Sequence, residues 1–258
     1  MILSLINVQG VVLKDISLGE TDKIITVFTD KLGKIDIVAH GARRPKSPIA
    51  SSTLPFCYSR FLVYKGKNLY TLRQSSIIES FQRIIMDLNK LAYGSYFLEL
   101  IDILNEKEVK NVYMLGVLLK TLYLLYHDDI DLDIIKLTFE YKVLSFAGFQ
   151  PIVNSCIKCK RRNNLKYFSI KDGGIFCSDC VNFNNDFFEL KNEEINFLNK
   201  IRNIKIEELR NIKYDRRLVE NLSVIMEKYV SYHVERQIKS LNLIKDLKGV
   251  DGYGRNNS

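Results

Sequence analysis

The sequence predicts an α+β protein: a small all-β unit first, amphipathic helices after it, and a metal-binding hairpin inserted among the helices. Three observations carry that expectation. Residues 1–80 hold short β-branched runs separated by turn residues. From Ile84 onward the apolar positions recur at three- and four-residue intervals. Cys156-x-x-Cys159 and Cys177-x-x-Cys180 stand with 17 residues between them, inside the spacing of a four-cysteine zinc site.

Strands are expected at 8–13, 24–29, 35–39, 61–64 and 69–72. Asp30-Lys-Leu-Gly33 and Lys65-Gly-Lys-Asn68 read as hairpin turns between them. Five short strands without a long helix suggest a small closed sheet, and an OB-fold barrel suits that count and a basic surface. Three of the four prolines fall between the third and fourth strands, at 45, 48 and 55, so residues 40–55 form a loop. This loop carries Arg43, Arg44 and Lys46 close together, and guanidinium groups suit bidentate contacts to phosphate.

Helices follow at about 84–104, 112–125 and 132–146, each with an apolar stripe that a common core would bury. Tyr93, Tyr96 and Tyr123 belong to these stripes and are expected to pack rather than stack on a ligand. Asp128, Asp129, Asp131 and Asp133 lie between two helices, where acids cap helix starts. A metal-dependent nuclease site is the sharper alternative for them. After the cysteines, a short helix is expected at 193–203 and a long one at 215–241, with a mobile Gly/Asn-rich tail at 246–258. The expected division is a barrel at 1–80, a helical domain from 81–150 and 181–245, and a zinc module at 151–180.

Between the cysteine pairs, Lys166 to Cys177 reads as strand, Asp-Gly-Gly turn, strand. Such a hairpin returns the second pair to the first, and four thiolates complete a tetrahedral Zn2+ sphere with no position left for substrate. Two disulfides would suit a secreted chain, but the N-terminal residues lack the pattern of a secretory signal. A single redox dithiol does not account for two pairs. A zinc deaminase needs an upstream His-x-Glu, and only His233-Val-Glu235 has that form, downstream. Cys57 has no cysteine neighbour in sequence and is expected to be a small buried residue.

The formal charge is +8 and the pI about 9.1, which favours a polyanionic partner. Basic excess is concentrated in residues 1–80 and 200–258, around a slightly acidic middle. That distribution fits a nucleic-acid surface. No phosphate-binding glycine loop and no nucleophile elbow is present. No run of 18 apolar residues suggests a membrane span, and a cytoplasmic, non-enzymatic protein is expected.

The order of parts is specific. Gly10-Val-Val-Leu13, Gly19-Glu-Thr-Asp22, Gly33-Lys34, Gly41-Ala-Arg-Arg-Pro-Lys-Ser47, Ala147-Gly-Phe-Gln-Pro151 and Phe168-Ser…Gly173-Gly174…Cys177-x-x-Cys180 follow one another along the chain. This series resembles the RecO family of bacterial recombination mediators, in its zinc-bearing form. The resemblance implies a DNA repair protein that binds single- and double-stranded DNA and anneals complementary strands. It implies work with RecR, and with RecF in some settings, to load RecA onto strands coated by SSB, whose C-terminal tail it binds. The resemblance places Lys23, Arg43, Arg44 and Lys46 near a DNA face, and hairpin geometry adds Lys65, Lys67 and Arg73. A zinc-stabilised transcription module is the rival binding function, although no helix-turn-helix signal supports it.

Overall fold

The computed structural model describes residues 4–181 and 187–254, with side chains described to residue 249. Among these residues the chain forms two compact units, one from residues 1–126 with 239–258 and one from 127–238. That division cuts across the expected one: the first two helices and the last accompany the barrel, and the remaining helices accompany the cysteine module.

The first unit begins with β1 (Leu5–Leu18), β2 (Asp22–Thr29) and β3 (Gly33–Ala39), followed by β4 (Cys57–Lys65) and β5 (Tyr70–Ser80). The five strands close into a barrel in the order β1-β2-β3-β5-β4. All pairs are antiparallel except β3 with β5, which meet in parallel at Ile37–Tyr70 and Val38–Thr71. Strand β1 is long because it pairs twice, with β4 through residues 5–11 and with β2 through residues 10–18. Gly10 lies in the overlap, where a Cβ would stand 2.5 Å from the Phe28 carbonyl oxygen. A β-bulge between Val12 and Lys14 bends the strand just beyond it.

Alternation along the strands sends Val8, Val12, Ile25, Val27, Ile35, Ile37, Phe61 and Val63 into the barrel, with Ala42 from the loop after β3. The rest of the unit is helical: α1 (Leu88–Leu104), α2 (Val112–His127) and α6 (Lys239–Gly254). Asp87 caps α1 by accepting the Lys90 N–H. The Glu99 carboxylate does the same for α6, accepting the N–H groups of Lys239 and Ser240 at 3.0 and 2.9 Å. Tyr93 and Tyr96 are buried, as the stripe implied, but Tyr123 is 44% exposed. It shares the exposed face of α2 with Tyr113, Lys120 and His127, opposite the buried stripe.

The second unit holds α3 (Leu132–Phe146), the hairpin β6 (Leu165–Ser169) and β7 (Gly174–Cys177), β8 (Phe187–Glu189), α4 (Asn192–Asn203) and α5 (Arg216–His233). Strand β8 pairs with β6 to make a three-stranded sheet, a strand too short to read from periodicity. Its Phe168 ring lies 5.7 Å from the Tyr229 ring of α5. The single helix expected at 215–241 is broken: α5 ends at His233, and Glu235 takes a left-handed φ of 50°. The apolar period runs through that break, and only the backbone conformation at Glu235 interrupts it. Residues 246–254 of the expected tail continue α6, and the remainder lies outside the described residues. No helix among the described residues is long and apolar enough to cross a membrane.

Gly33, which opens β3, has φ +64°, and a Cβ there would sit 2.1 Å from the Val109 carbonyl oxygen. Gly19 has nearly the same φ, +63°, with nothing within 4 Å. Both Ala variants incur the left-handed backbone cost, about 1–3 kcal/mol, but only Gly33→Ala adds the collision. Thermal unfolding should therefore show a clearly larger fall in Tm for Gly33→Ala than for Gly19→Ala. Equal falls would mean that the 107–110 segment yields freely.

Candidate metal centre and nucleic-acid interface

The cysteine pairs converge as the spacing implied. Their four sulfurs all lie within 4.8 Å of one another, and Cys159 Sγ is 3.7 Å from Cys177 Sγ. Four thiolates about 2.3 Å from a central zinc would be spaced about 3.8 Å apart, so the donor set fits that metal in kind and in spacing.

Local backbone geometry builds each pair. Ile157 N–H donates to the Ile175 carbonyl at 2.9 Å, tying the first turn to β7. Lys160 adopts φ +63°, and its N–H returns to the Cys156 carbonyl at 2.9 Å. Cys177 ends β7, and the Cys180 N–H closes the second turn onto the Cys177 carbonyl at 3.1 Å. Gly174 permits the approach: a Cβ would meet Ile157 Cγ2 at 2.5 Å and the Ile152 oxygen at 2.7 Å.

The electrostatics agree with a cation-binding cluster. Burial opposes ionisation of Cys156, but the backbone N–H groups of Cys159, Cys177 and Lys158 and the Cys159 thiol outweigh it, lowering its pKa to about 6. The Cys180 thiol is pushed up to about 12 by its contacts with the Cys177 and Cys159 sulfurs, with burial adding to them. A cluster this tight accommodates one thiolate readily and further ones only with a cation among them; Zn2+ supplies that charge. Cys57 stands apart, fully buried, with its thiol directed at the Ser51 carbonyl at 3.2 Å.

The acid cluster is occupied structurally. Asp131 caps α3 by accepting the Asp133 N–H at 2.9 Å. Asp128 pairs with Arg210 at 2.8 Å and Asp131 with Arg216 at 3.6 Å. The capping reading holds for Asp131, while Asp128 serves in an ion pair.

The cationic loop is held from three sides. Ala42 is 4% exposed and plugs the barrel core, with Ile49 packed against it. Asp22 accepts the Gly41 N–H at 2.8 Å, and the His40 Nδ1 lies 2.6 Å from its other oxygen. Those contacts, the Gly41 N–H foremost and then His40 and Thr21, hold the Asp22 pKa at about 2. The Arg43 N–H donates to the Thr21 carbonyl at 2.9 Å. With the backbone and Ala42 fixed inward, Arg43, Arg44 and Lys46 are left exposed. One Arg43 Nη1 donates to the Gly19 carbonyl at 2.8 Å, which orients the guanidinium without neutralising it.

The other candidates divide. Lys67 is exposed. Arg73 is exposed and its guanidinium stands 4.8 Å from the centre of the Tyr64 ring. Lys65 is paired with Glu108 at 2.7 Å, so part of its charge is already met. Lys23 requires correction: it is 5% exposed and its Nζ lies 3.1 Å from Asp15. The β1–β2 register places Lys23 opposite Ser17, two residues from Asp15, and burial of the Lys23 side chain against that acid removes it from the accessible cations. Sequence reasoning missed Arg60, which the alternation of β4 sends to solvent. Starting that strand at residue 61 instead of 57 concealed it.

Known proteins resemble this chain throughout its length. Residues 1–81 match the family model described as Recombination protein O N terminal, and residues 86–242 match Recombination protein O C terminal. A protein named DNA repair protein RecO from Alkaliphilus metalliredigens is 32% identical over 245 residues, covering 94% of this chain and 100% of its own. The protein of that name from Caldicellulosiruptor saccharolyticus is 33% identical over 244 residues, covering 94% and 99%. That from Acetivibrio thermocellus is 33% identical over 245 residues, covering 94% and 97%.

Cys156→Ser should abolish stoichiometric zinc in the purified protein and lower its Tm, because binding to a site formed only on folding adds to folding free energy. Metal analysis and thermal unfolding check this. Retention of one zinc per chain at unchanged Tm would exclude a four-thiolate centre.

Proposed function

The chain belongs to the RecO family and so has a role in DNA repair and recombination; on that footing we propose that it is a non-catalytic strand-annealing mediator. It binds DNA through the cationic barrel, anneals complementary strands, and acts with RecR to load RecA onto SSB-coated single strands. RecF takes part where the pathway uses it, and the acidic SSB tail is a further ligand. The place of action is the bacterial cytoplasm.

The observation that carries this reading is the presentation of Arg43 and Arg44. They are exposed, have no carboxylate partner among the described residues, and stand on a loop whose backbone is fixed by Asp22, Thr21 and the buried Ala42. Fixed cations lower the entropic cost of holding a phosphate backbone, and neutralising each strand reduces the repulsion that opposes annealing. The barrel's strand order, with β1 shared between β2 and β4 and a parallel β3–β5 contact, supports an OB-fold. The four sulfurs support a structural Zn2+ held by Cys156, Cys159, Cys177 and Cys180, leaving recognition to the barrel.

Mixing complementary single strands with the protein should accelerate duplex formation without ATP and without cleavage, and SSB-coated strands should anneal as well. Absence of any acceleration would overturn the mediator reading. In Arg43→Ala/Arg44→Ala, the log–log dependence of affinity on salt should flatten by about 1.4 for single strands and about 1.8 for duplex, the loss of two phosphate contacts. An unchanged slope would place the DNA elsewhere on the protein.

A further inference from the structure

The outer face of β4 carries aromatic rings that phosphate binding alone does not use. Inward residues Cys57, Ser59, Phe61 and Val63 are buried, so Tyr58, Arg60, Leu62 and Tyr64 share the opposite face. Of these, Arg60 is exposed and the other three half-buried. Two aromatic rings therefore flank a cation and an apolar side chain along one strand.

The neighbouring strand adds a second cation by a defined device. Leu62 pairs with Gln74 and Val63 with Leu72, so Arg73 is the extra residue of a β-bulge. A bulge re-aims the side chain it carries, and here the guanidinium lies 4.8 Å from the centre of the Tyr64 ring. On the other side, Gln9 pairs with Arg60 and its Oε1 accepts the Tyr58 hydroxyl at 2.8 Å, which holds that ring in place. Burial, with Asp30 adding to it, raises the Tyr58 pKa, so the hydroxyl stays a neutral donor to Gln9.

The two acids beside this face each accept a backbone N–H. Asp30 Oδ1 accepts the Gln9 N–H at 2.9 Å, and Glu79 Oε1 accepts the Ser80 N–H at 3.1 Å. Arg60 and Arg73 have no carboxylate partner among the described residues. The face thus offers aromatic planes with cations beside them, the combination that accepts bases by their faces and the adjoining phosphates by charge. A duplex hides its base faces in the stack and presents only edges and backbone.

We propose that the outer face of β4, built on Tyr58, Arg60, Tyr64 and Arg73, is a stacking platform that binds unpaired bases and selects single-stranded over duplex DNA. A base lies against the Tyr64–Arg73 pair and another against Tyr58, with Arg60 at the intervening phosphate. The inference rests on the DNA-binding reading and adds to it the form of DNA that this face selects.

The test is a set of fluorescence-anisotropy titrations with one labelled oligonucleotide, as a single strand and as its duplex. The proteins are the wild type, Tyr64→Ala, Tyr64→Leu and Tyr64→Phe, with thermal unfolding of each. Tyr64→Ala and Tyr64→Leu should lose about fivefold to a hundredfold in single-strand affinity, at unchanged salt slope and with duplex affinity little altered. Tyr64→Phe, which keeps the ring, should retain wild-type binding. Equal losses on both DNA forms, full affinity in Tyr64→Leu, or a Tyr64→Phe defect matching Tyr64→Ala would each overturn the platform while leaving DNA binding intact. If the wild type binds neither form, the DNA-binding reading itself fails, and the platform with it.

Discussion

Strand β1 has to satisfy its backbone on both edges, and the N-terminal unit depends on that requirement being met. A sheet with open edges leaves rows of unpaired N–H and C=O groups, whereas a closed barrel leaves none. Closure is achieved by one strand of 14 residues that pairs with β4 along its first half and β2 along its second. The overlap at Gly10 tolerates no side chain, and the bulge beyond it supplies the bend. Once the barrel is closed, its interior takes the apolar residues of every strand, and the loop after β3 can seat Ala42 in that interior. The exposed arginines next to Ala42 follow from the same seating.

Closure also governs which cations are available. Residues 1–80 carry an excess of positive charge, but much of it is met within the unit. Lys14 and Lys34 converge on Asp102 of α1 at 2.6 and 3.0 Å, and Lys65 meets Glu108 at 2.7 Å. Lys23 is buried on Asp15. Exposed arginines without a carboxylate partner among the described residues remain on the 40–55 loop and on the outer faces of β4 and β5, beside the exposed Lys46 and Lys67. A planar, permanently charged guanidinium suits both phosphate and stacked bases better than an ammonium does.

The cysteine cluster addresses a different problem. Strands β6, β7 and β8 are five, four and three residues long, too short to build a core of their own. Four convergent sulfurs give that sheet a fixed end, and Phe168 against Tyr229 gives it a packed face. A closed four-sulfur donor set of this kind suits an architectural metal site.

Much of this was legible in the amino-acid sequence because it is local. A Cys-x-x-Cys pair aims its ligands within one turn, and prolines at 45, 48 and 55 exclude strand. Five β-branched runs count as five strands whatever their exact ends. The stretch 57–60 was misread because Ser59 and Arg60 interrupt its apolar pattern; Ser59 is nonetheless buried, donating to the Ser52 carbonyl at 3.1 Å. The break after His233 and the fate of Lys23 were equally hidden. Sequence period determined most of the elements, the clustering of the four cysteines and the basic loop, since each depends on residues a few positions apart. Strand register and packing between distant segments decided which charges reach solvent and which rings share a face, because those outcomes depend on partners that sequence spacing does not specify.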